Sequence, residues 1–150
     1  MKSKYGLPTV QDIQIISFPL NITKLGDNQN GGHLVPINIS ELPFMPKRMF
    51  HVSNVQHRFD RGRHAHYDTN QLIMCVSGSV ELTLKDGTGG VVSFNLSQPH
   101  TSILVPKMIW DEVHYADSQS TLLVFSDTEY NPEDYITNWE KYINEYNKTS

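Results

Sequence analysis

Two histidines, His64 and His66, stand two residues apart. In an extended strand, side chains at i and i+2 leave the same face. Both imidazoles then point into one space. Four residues separate the pair from Gln71, and six separate Gln71 from Gly78. An imidazole exchanges its proton near neutral pH, so two on one face can divide the work of base and donor. The same pair can ligate a metal, given a third and usually a fourth ligand. The other five histidines, His33, His51, His57, His100 and His114, have no comparable neighbours in the sequence. They read as surface or structurally satisfied side chains.

The elements that must position the pair are short strands. Residues 13–18 and 33–39 read as strands on either side of a turn signal at 25–32, rich in Gly, Asp and Asn. A proline-punctuated loop, 41–46, precedes an alternating strand at 48–55. If Arg48 faces inward there, so do Phe50 and Val52. Residues 57–63 are polar and read as a loop, with the next strand beginning at His64. Further strands are expected at 71–76, 80–84, 91–96, 102–105 and 122–125, with 85–90 as a hairpin connection. Such a series argues for an antiparallel sandwich or barrel. The end of the chain differs. Asn131 can cap, Pro132 suits a first helical position, and Glu133 and Asp134 complement a helix dipole. Ile136, Trp139, Ile143 and Tyr146 recur at helical spacing, so 131–147 is expected to be an amphipathic helix lying on the sheets. Residues 1–10 are poorly specified.

The bulk composition bounds the function. The chain has 150 residues, room for one domain with a sizeable core, and a net charge of -4. No basic stripe appears, which argues against a nucleic-acid partner. One cysteine, Cys75, allows neither an internal disulfide nor a cysteine-based zinc site, and suits a reducing compartment. The first 20 residues contain no apolar run long enough for a signal peptide or a membrane span. The expectation is a cytoplasmic protein with no membrane partner, in which the Asn21-Ile22-Thr23 sequon goes unused. No nucleophile-elbow sequence and no phosphate-cradling glycine loop are present; Gly89 and Gly90 belong to a hairpin.

The H-x-H pair, Gln71 and Gly78 together resemble the first motif of the cupin barrels, in which a glutamate usually stands where Gln71 does. The flanking residues narrow the resemblance. Pro43-Phe44, Lys47-Arg48, Arg61-Gly62 directly before His64-Ala65-His66, then Pro106, Trp110, Asp127, Tyr130 and Asp134-Tyr135-Ile136 follow in order. This order is similar to that of the dTDP-4-dehydro-6-deoxyglucose 3,4-ketoisomerases, over about residues 25–146. The resemblance implies an all-β, single-domain antiparallel barrel or jelly roll of the cupin (RmlC-like) type with a C-terminal helix. It implies conversion of a dTDP-4-keto-6-deoxyhexose to its 3-keto isomer in deoxysugar biosynthesis. It also implies a homodimer with strand exchange near the N-terminus.

By this resemblance His66 is the expected base and His64 its partner, though the two roles could be exchanged. Arg48 and Arg61 would hold the diphosphate through planar, charged forks. Gln71 would orient an imidazole or a sugar hydroxyl. Three positions expected to face the sugar depart from the family: Phe50 for tyrosine, Tyr67 for lysine, and Asp111 for histidine or arginine. Gln29-Asn-Gly-Gly32 replaces the family's D-x-R-G stretch. Tyr67 and Asp111 are carried forward as substrate-binding candidates. A cage of two histidines, Gln71 and Asp111 is a poor one for a transition metal, so no cofactor is expected. Two rivals stand beside the isomerase: a cupin that binds a sugar nucleotide without turning it over, and a metal-dependent cupin enzyme.

Overall fold

The computed structural model describes residues 6–25, 29–56 and 59–148. Its strands are β1 (Gln14–Ser17), β2 (Asn21–Leu25), β3 (Gln29–Leu34), β4 (Arg48–Val52), β5 (Asp60–His66), β6 (Gln71–Ser77), β7 (Val80–Lys85), β8 (Val91–Leu96), β9 (Thr101–Val105), β10 (Trp110–Tyr115), β11 (Thr121–Ser126) and β12 (Tyr135–Ile136). One α-helix, α1 (Trp139–Lys148), closes the chain. Two five-stranded antiparallel sheets form, ordered β1-β9-β6-β11-β4 and β12-β5-β10-β7-β8. The core between them takes Ile73 and Cys75 from one sheet and Leu82, Leu84, Val113 and Tyr115 from the other. This is a jelly-roll sandwich of the cupin type; no ladder joins the two sheets into a closed barrel among the described residues.

Alternation fixes which side chains face that interior. On β6, Ile73 and Cys75 enter the central core. Leu72 and Met74 pack outward against Phe18, Leu42 and Phe125. On β5, Ala65 packs outward with Met108, Trp110, Ile136, Tyr142 and Tyr146, so His64 and His66 face inward. The outer cluster is tied by hydroxyls: Tyr142 donates to the Met108 carbonyl at 2.9 Å and Tyr146 to the Pro8 carbonyl at 2.7 Å.

Several sequence-based boundaries move. β3 covers Gln29–Leu34, not 33–39, and β4 ends at Val52. The expected turn at 25–32 shrinks, because its two ends are strand; residues 26–28 lie outside the described residues. So do residues 1–5 and His57. β5 begins at Asp60, within what reads as a loop, because Gly62 and Arg63 form a bulge rather than a chain break. Both have positive φ, +76° and +60°, and the β5–β10 register shifts opposite Asp111 and Glu112. The helix expected over 131–147 is split. Asn131 caps a single 3-10 turn, Pro132–Asp134, through Glu133 N–H. Tyr135 and Ile136 then pair with His66 and Ala65 as β12. That ladder takes up the backbone groups a continuous helix would need. α1 starts afresh where Asn138 Oδ1 accepts from Lys141 N–H at 2.9 Å.

Candidate active site

The mouth of the interior is built from four strand segments meeting at one end. β5 and β12 bring His64, His66 and Tyr135 together. The imidazoles meet edge to face, centroids 4.9 Å apart, and the Tyr135 ring lies 4.4 Å from His66 and 5.1 Å from His64. β4 contributes Arg48, whose Nη1 donates to the Tyr135 hydroxyl at 3.3 Å. Its guanidinium also lies over the rings of Phe50, at 4.4 Å, and Tyr130, at 4.9 Å. The loop into β6 is clamped from the far side: Asn70 N–H and Nδ2 both donate to the Asp127 carboxylate, at 2.9 and 2.7 Å. That clamp seats Gln71 at the cavity wall.

His66 is buried and oriented. Its Nδ1 lies 2.8 Å from Asp134 Oδ2 and donates to the carboxylate. The same Oδ2 accepts from Thr69 Oγ1 at 2.5 Å, and Oδ1 accepts from Asp68 N–H at 2.8 Å. With the Thr69 proton committed to Asp134, Thr128 donates to Thr69 at 2.5 Å. Burial pushes the Asp134 carboxyl upward, but Thr69, the Asp68 amide and His66 outweigh it and hold the group below the usual carboxylate range. Among the described residues the His66 Nε2 has no hydrogen-bond partner, and it is shut off from solvent. Burial lowers the His66 pKa most; Asp134 opposes the shift, and the charges of His64 and Arg48 add to it. The shift favours the neutral imidazole, and the contact of Nδ1 with Asp134 leaves Nε2 as the nitrogen that can accept a proton.

His64 lines the cavity, with 19 % of its side chain exposed. Its Nε2 lies 3.6 Å from Asp111 Oδ2. Asp111 is 3 % exposed on β10, and burial pushes its carboxyl up to about 6, with His64 opposing and Glu112 adding. Gly62 makes the room. A Cβ there would meet Asp111 Oδ1 at 2.2 Å, so the β5 bulge is shaped around this carboxylate.

The cavity holds about 420 Å³ and is lined by Arg48, Arg61, His64, Gln71, Asp111 and Tyr135 at its polar part, among others. Ile73, Val113, Leu122 and Val124 form its apolar wall. The size and mixed lining suit a small-molecule site. Five of the seven sequence-nominated residues therefore line one cavity, and His66 lies against it through His64. Tyr67 does not join them. One residue past His66, it faces outward and packs on the outer cluster. There it borders a separate cavity of about 540 Å³ with Leu7, Lys107 and Glu145, which contains neither histidine of the pair. Among the described residues, no three His, Cys, Asp or Glu side chains converge as a metal cage.

Asp134, Thr69 and Tyr135 are site residues that reasoning about the histidines alone misses. Asp134 is 68 positions from His66. The Asp134-Tyr135-Ile136 order was visible as part of a family pattern, but not as a partner of the imidazole.

Comparison with known proteins agrees with the fold and with the family resemblance. The model of the family described as "FdtA: WxcM-like, C-terminal" matches residues 11–147. A "TDP-4-oxo-6-deoxy-alpha-D-glucose-3,4-oxoisomerase" of Aneurinibacillus thermoaerophilus is 30 % identical over 132 residues, covering 85 % of this chain and 93 % of that protein. Among solved structures, the sugar 3,4-ketoisomerase QdtA of Thermoanaerobacterium thermosaccharolyticum, in complex with TDP, superposes with a TM-score of 0.81 at 28 % identity, over 93 % of this chain and 97 % of that one. A 3,4-ketoisomerase from Helicobacter canadensis gives 0.79 at 29 % identity, over 91 % and 98 % of the two chains.

Proposed function

The chain belongs to the FdtA family, is a dTDP-sugar 3,4-ketoisomerase, and we propose that it works by proton transfer through His66. In this reaction a 4-keto-6-deoxyhexose loses its C3 proton and becomes an enediolate. Return of a proton to C4 leaves the carbonyl at C3. His66 Nε2 takes the first proton and delivers the second, while Asp134 holds the ring in the tautomer that keeps Nε2 bare. His64 lines the cavity beside His66, with the two ring centroids 4.9 Å apart, and faces the sugar oxygens. Tyr135 and Gln71 hydrogen-bond the sugar. Arg48 and Arg61, which approach the cavity from opposite sheets, hold the diphosphate.

The observation that carries this reading is the unpartnered, buried Nε2 of an imidazole fixed through Nδ1 by a carboxylate. The test is His66→Asn. Asparagine keeps the bulk and hydrogen bonding but takes up no proton near neutrality. Turnover of dTDP-4-keto-6-deoxyglucose should fall by about 10²–10⁴-fold while dTDP affinity and folding persist. A folded variant that turns over at the parent rate removes His66 from the role.

We also propose a cytoplasmic homodimer. β2 and β3 form a two-stranded sheet that pairs with neither large sheet among the described residues. Ile22 and Leu34 on it are largely exposed. A partner's copy of this hairpin supplies the cover. Among the described residues no helix is long and apolar enough to cross a membrane. Sedimentation at micromolar concentration tests the dimer; a monomeric species throughout contradicts it.

A further inference from the structure

The two carboxylate oxygens of Asp134 serve different partners. Oδ1 accepts from Asp68 N–H at 2.8 Å. Oδ2 is shared: His66 Nδ1 reaches it at 2.8 Å and the Thr69 hydroxyl at 2.5 Å. The Thr69 oxygen in turn accepts from Thr128 at 2.5 Å. A line of four side chains, Thr128–Thr69–Asp134–His66, ends on the ring at the nitrogen remote from Nε2. His66 closes β5, Thr69 lies between β5 and β6, and Thr128 and Asp134 come after β11.

Other bonds already hold these stretches together. Asn70 clamps Asp127 with two donors. Tyr67 N–H donates to the Asp134 carbonyl at 3.0 Å, and Asp68 N–H holds Oδ1. What Thr69 adds is a second donor on the oxygen that faces the imidazole. Thr69 is 5 % exposed and Asp134 8 %, so this bond is made away from bulk water, where a donor acts on a carboxylate with little screening. Burial raises the Asp134 carboxyl, and of the contacts that outweigh it the Thr69 hydroxyl is the largest.

We propose that Thr69, backed by Thr128, is a positioning residue that sets the strength of the His66 base through the carboxylate oxygen the two share. This rests on the reading of His66 as the base and adds the group that tunes it. Competition fixes the direction. Charge that Oδ2 gives to the Thr69 proton is not available to the Nδ1 proton. The imidazolium formed when Nε2 takes the C3 proton is then stabilised less, and the free ring stays neutral to lower pH. Thr128 strengthens the effect, because a hydroxyl that accepts a hydrogen bond donates a stronger one. The other groups that face this pair come from every side. His64 on β5 and Arg48 on β4 act on His66 by their charges, and Tyr135 on β12 lies against its ring. Behind Asp134, Asp68, Lys107, Glu133 and Glu145 line the outer cavity. Among the described residues, only His66 and Thr69 hydrogen-bond Oδ2.

Thr69→Val keeps nearly the same shape and removes the hydroxyl. The acid limb of kcat/KM against pH, measured with dTDP-4-keto-6-deoxyglucose, should move up by about 0.5–1 pH unit, a roughly three- to tenfold loss on that limb. Above the limb the rate should stay within about twofold of the parent. Thr128→Val should move the limb the same way by less, and Thr69→Ser should keep the parental profile. A hydroxyl with only a structural role would lower kcat/KM evenly across pH. Carbon-13 NMR titration of the His66 ring should show the same upward shift without any turnover. That readout separates the two claims: His66→Asn at the parental rate removes His66 as the base, while the ring titration judges the tuning by itself. A folded Thr69→Val protein with parental ring titration overturns the proposal, and so does a downward shift. If Thr69→Val does not fold, Thr128→Val, which leaves all three donors on the carboxylate, decides by the same criterion.

Discussion

Asp134→Asn should disable the base without emptying the cavity. Three donors converge on the carboxylate: Thr69 Oγ1 at 2.5 Å, Asp68 N–H at 2.8 Å and His66 Nδ1 at 2.8 Å. Each bond to a charged acceptor is worth about 1.5–3 kcal/mol, against about 0.5–1.5 for a neutral one. Removing the charge therefore costs about 3 kcal/mol of folding stability across the three. The amide also has only one acceptor oxygen. If that oxygen keeps the Asp68 N–H, the NH₂ faces Thr69 and His66. His66 can then accept only at Nδ1, which moves its proton to Nε2 and removes the lone pair on which the proposed base depends. Turnover should fall by about 10²–10⁴-fold, equivalent to about 3–5 kcal/mol of barrier. KM and dTDP affinity should stay near parental values, since Asp134 does not line the substrate cavity. Urea unfolding should show the stability loss, with a definite pH dependence. The folded pKa of Asp134 is depressed, so its stabilisation is present above about pH 4 and is lost as the pH falls through the lower folded value. The gap between parent and variant should close over that acid range. A folded Asp134→Asn protein with parental kcat would refute the orientation of His66 by this carboxylate.

Other residues give equally direct outcomes. Asp111 has the opposite linkage: its pKa rises from 3.8 to about 6 on folding, so the folded state loses about 3 kcal/mol as the pH climbs through that window. Asp111→Asn should therefore be more stable than the parent at pH 8 and about equal to it at pH 3 by urea unfolding; lower stability at pH 8 contradicts this. Gly62→Ala places a side chain at φ +76° and 2.2 Å from Asp111 Oδ1. It should cost at least about 1–2 kcal/mol, and adding Asp111→Ala should restore part of the loss; a change under about 0.5 kcal/mol rejects the fit of the bulge to the carboxylate. Arg48→Ala and Arg61→Ala should each weaken dTDP binding by about 1.5–3 kcal/mol, roughly tenfold to a hundredfold by calorimetric titration. Parental affinity in both places the diphosphate elsewhere.

The parts of the site that were legible in the sequence are those set by strand period. His64 and His66 share a face because they are two apart, and Arg48, Phe50 and Val52 enter the cavity together for the same reason. Period also explains Tyr67, which a one-residue step turns away from the cavity. β10 was not legible. Its inward residues are Asp111, Val113 and Tyr115 and its outward ones Trp110, Glu112 and His114, so charge and aromatic bulk occupy both faces and no alternation shows. Gly62 looked like a loop residue because a bulge and a loop draw on the same positive φ. The contacts of Asp134 depend on register between β12 and β5, far apart in the chain, and a helix-start signal at Asn131-Pro132 disguised the turn that presents it. The fold class survived these boundary shifts because it rests on the number and spacing of strands, not on where each one ends.

The central claim is that this protein moves a carbonyl from C4 to C3 by removing and returning a proton through His66. Proton NMR of dTDP-4-keto-6-deoxyglucose in heavy water, with parent protein and with His66→Asn, tests it most directly. The parent should wash deuterium into C3 and build up the 3-keto sugar, and His66→Asn should do neither at a measurable rate while still binding dTDP. Exchange and product at the parental rate in His66→Asn, or neither in the parent, would contradict the account.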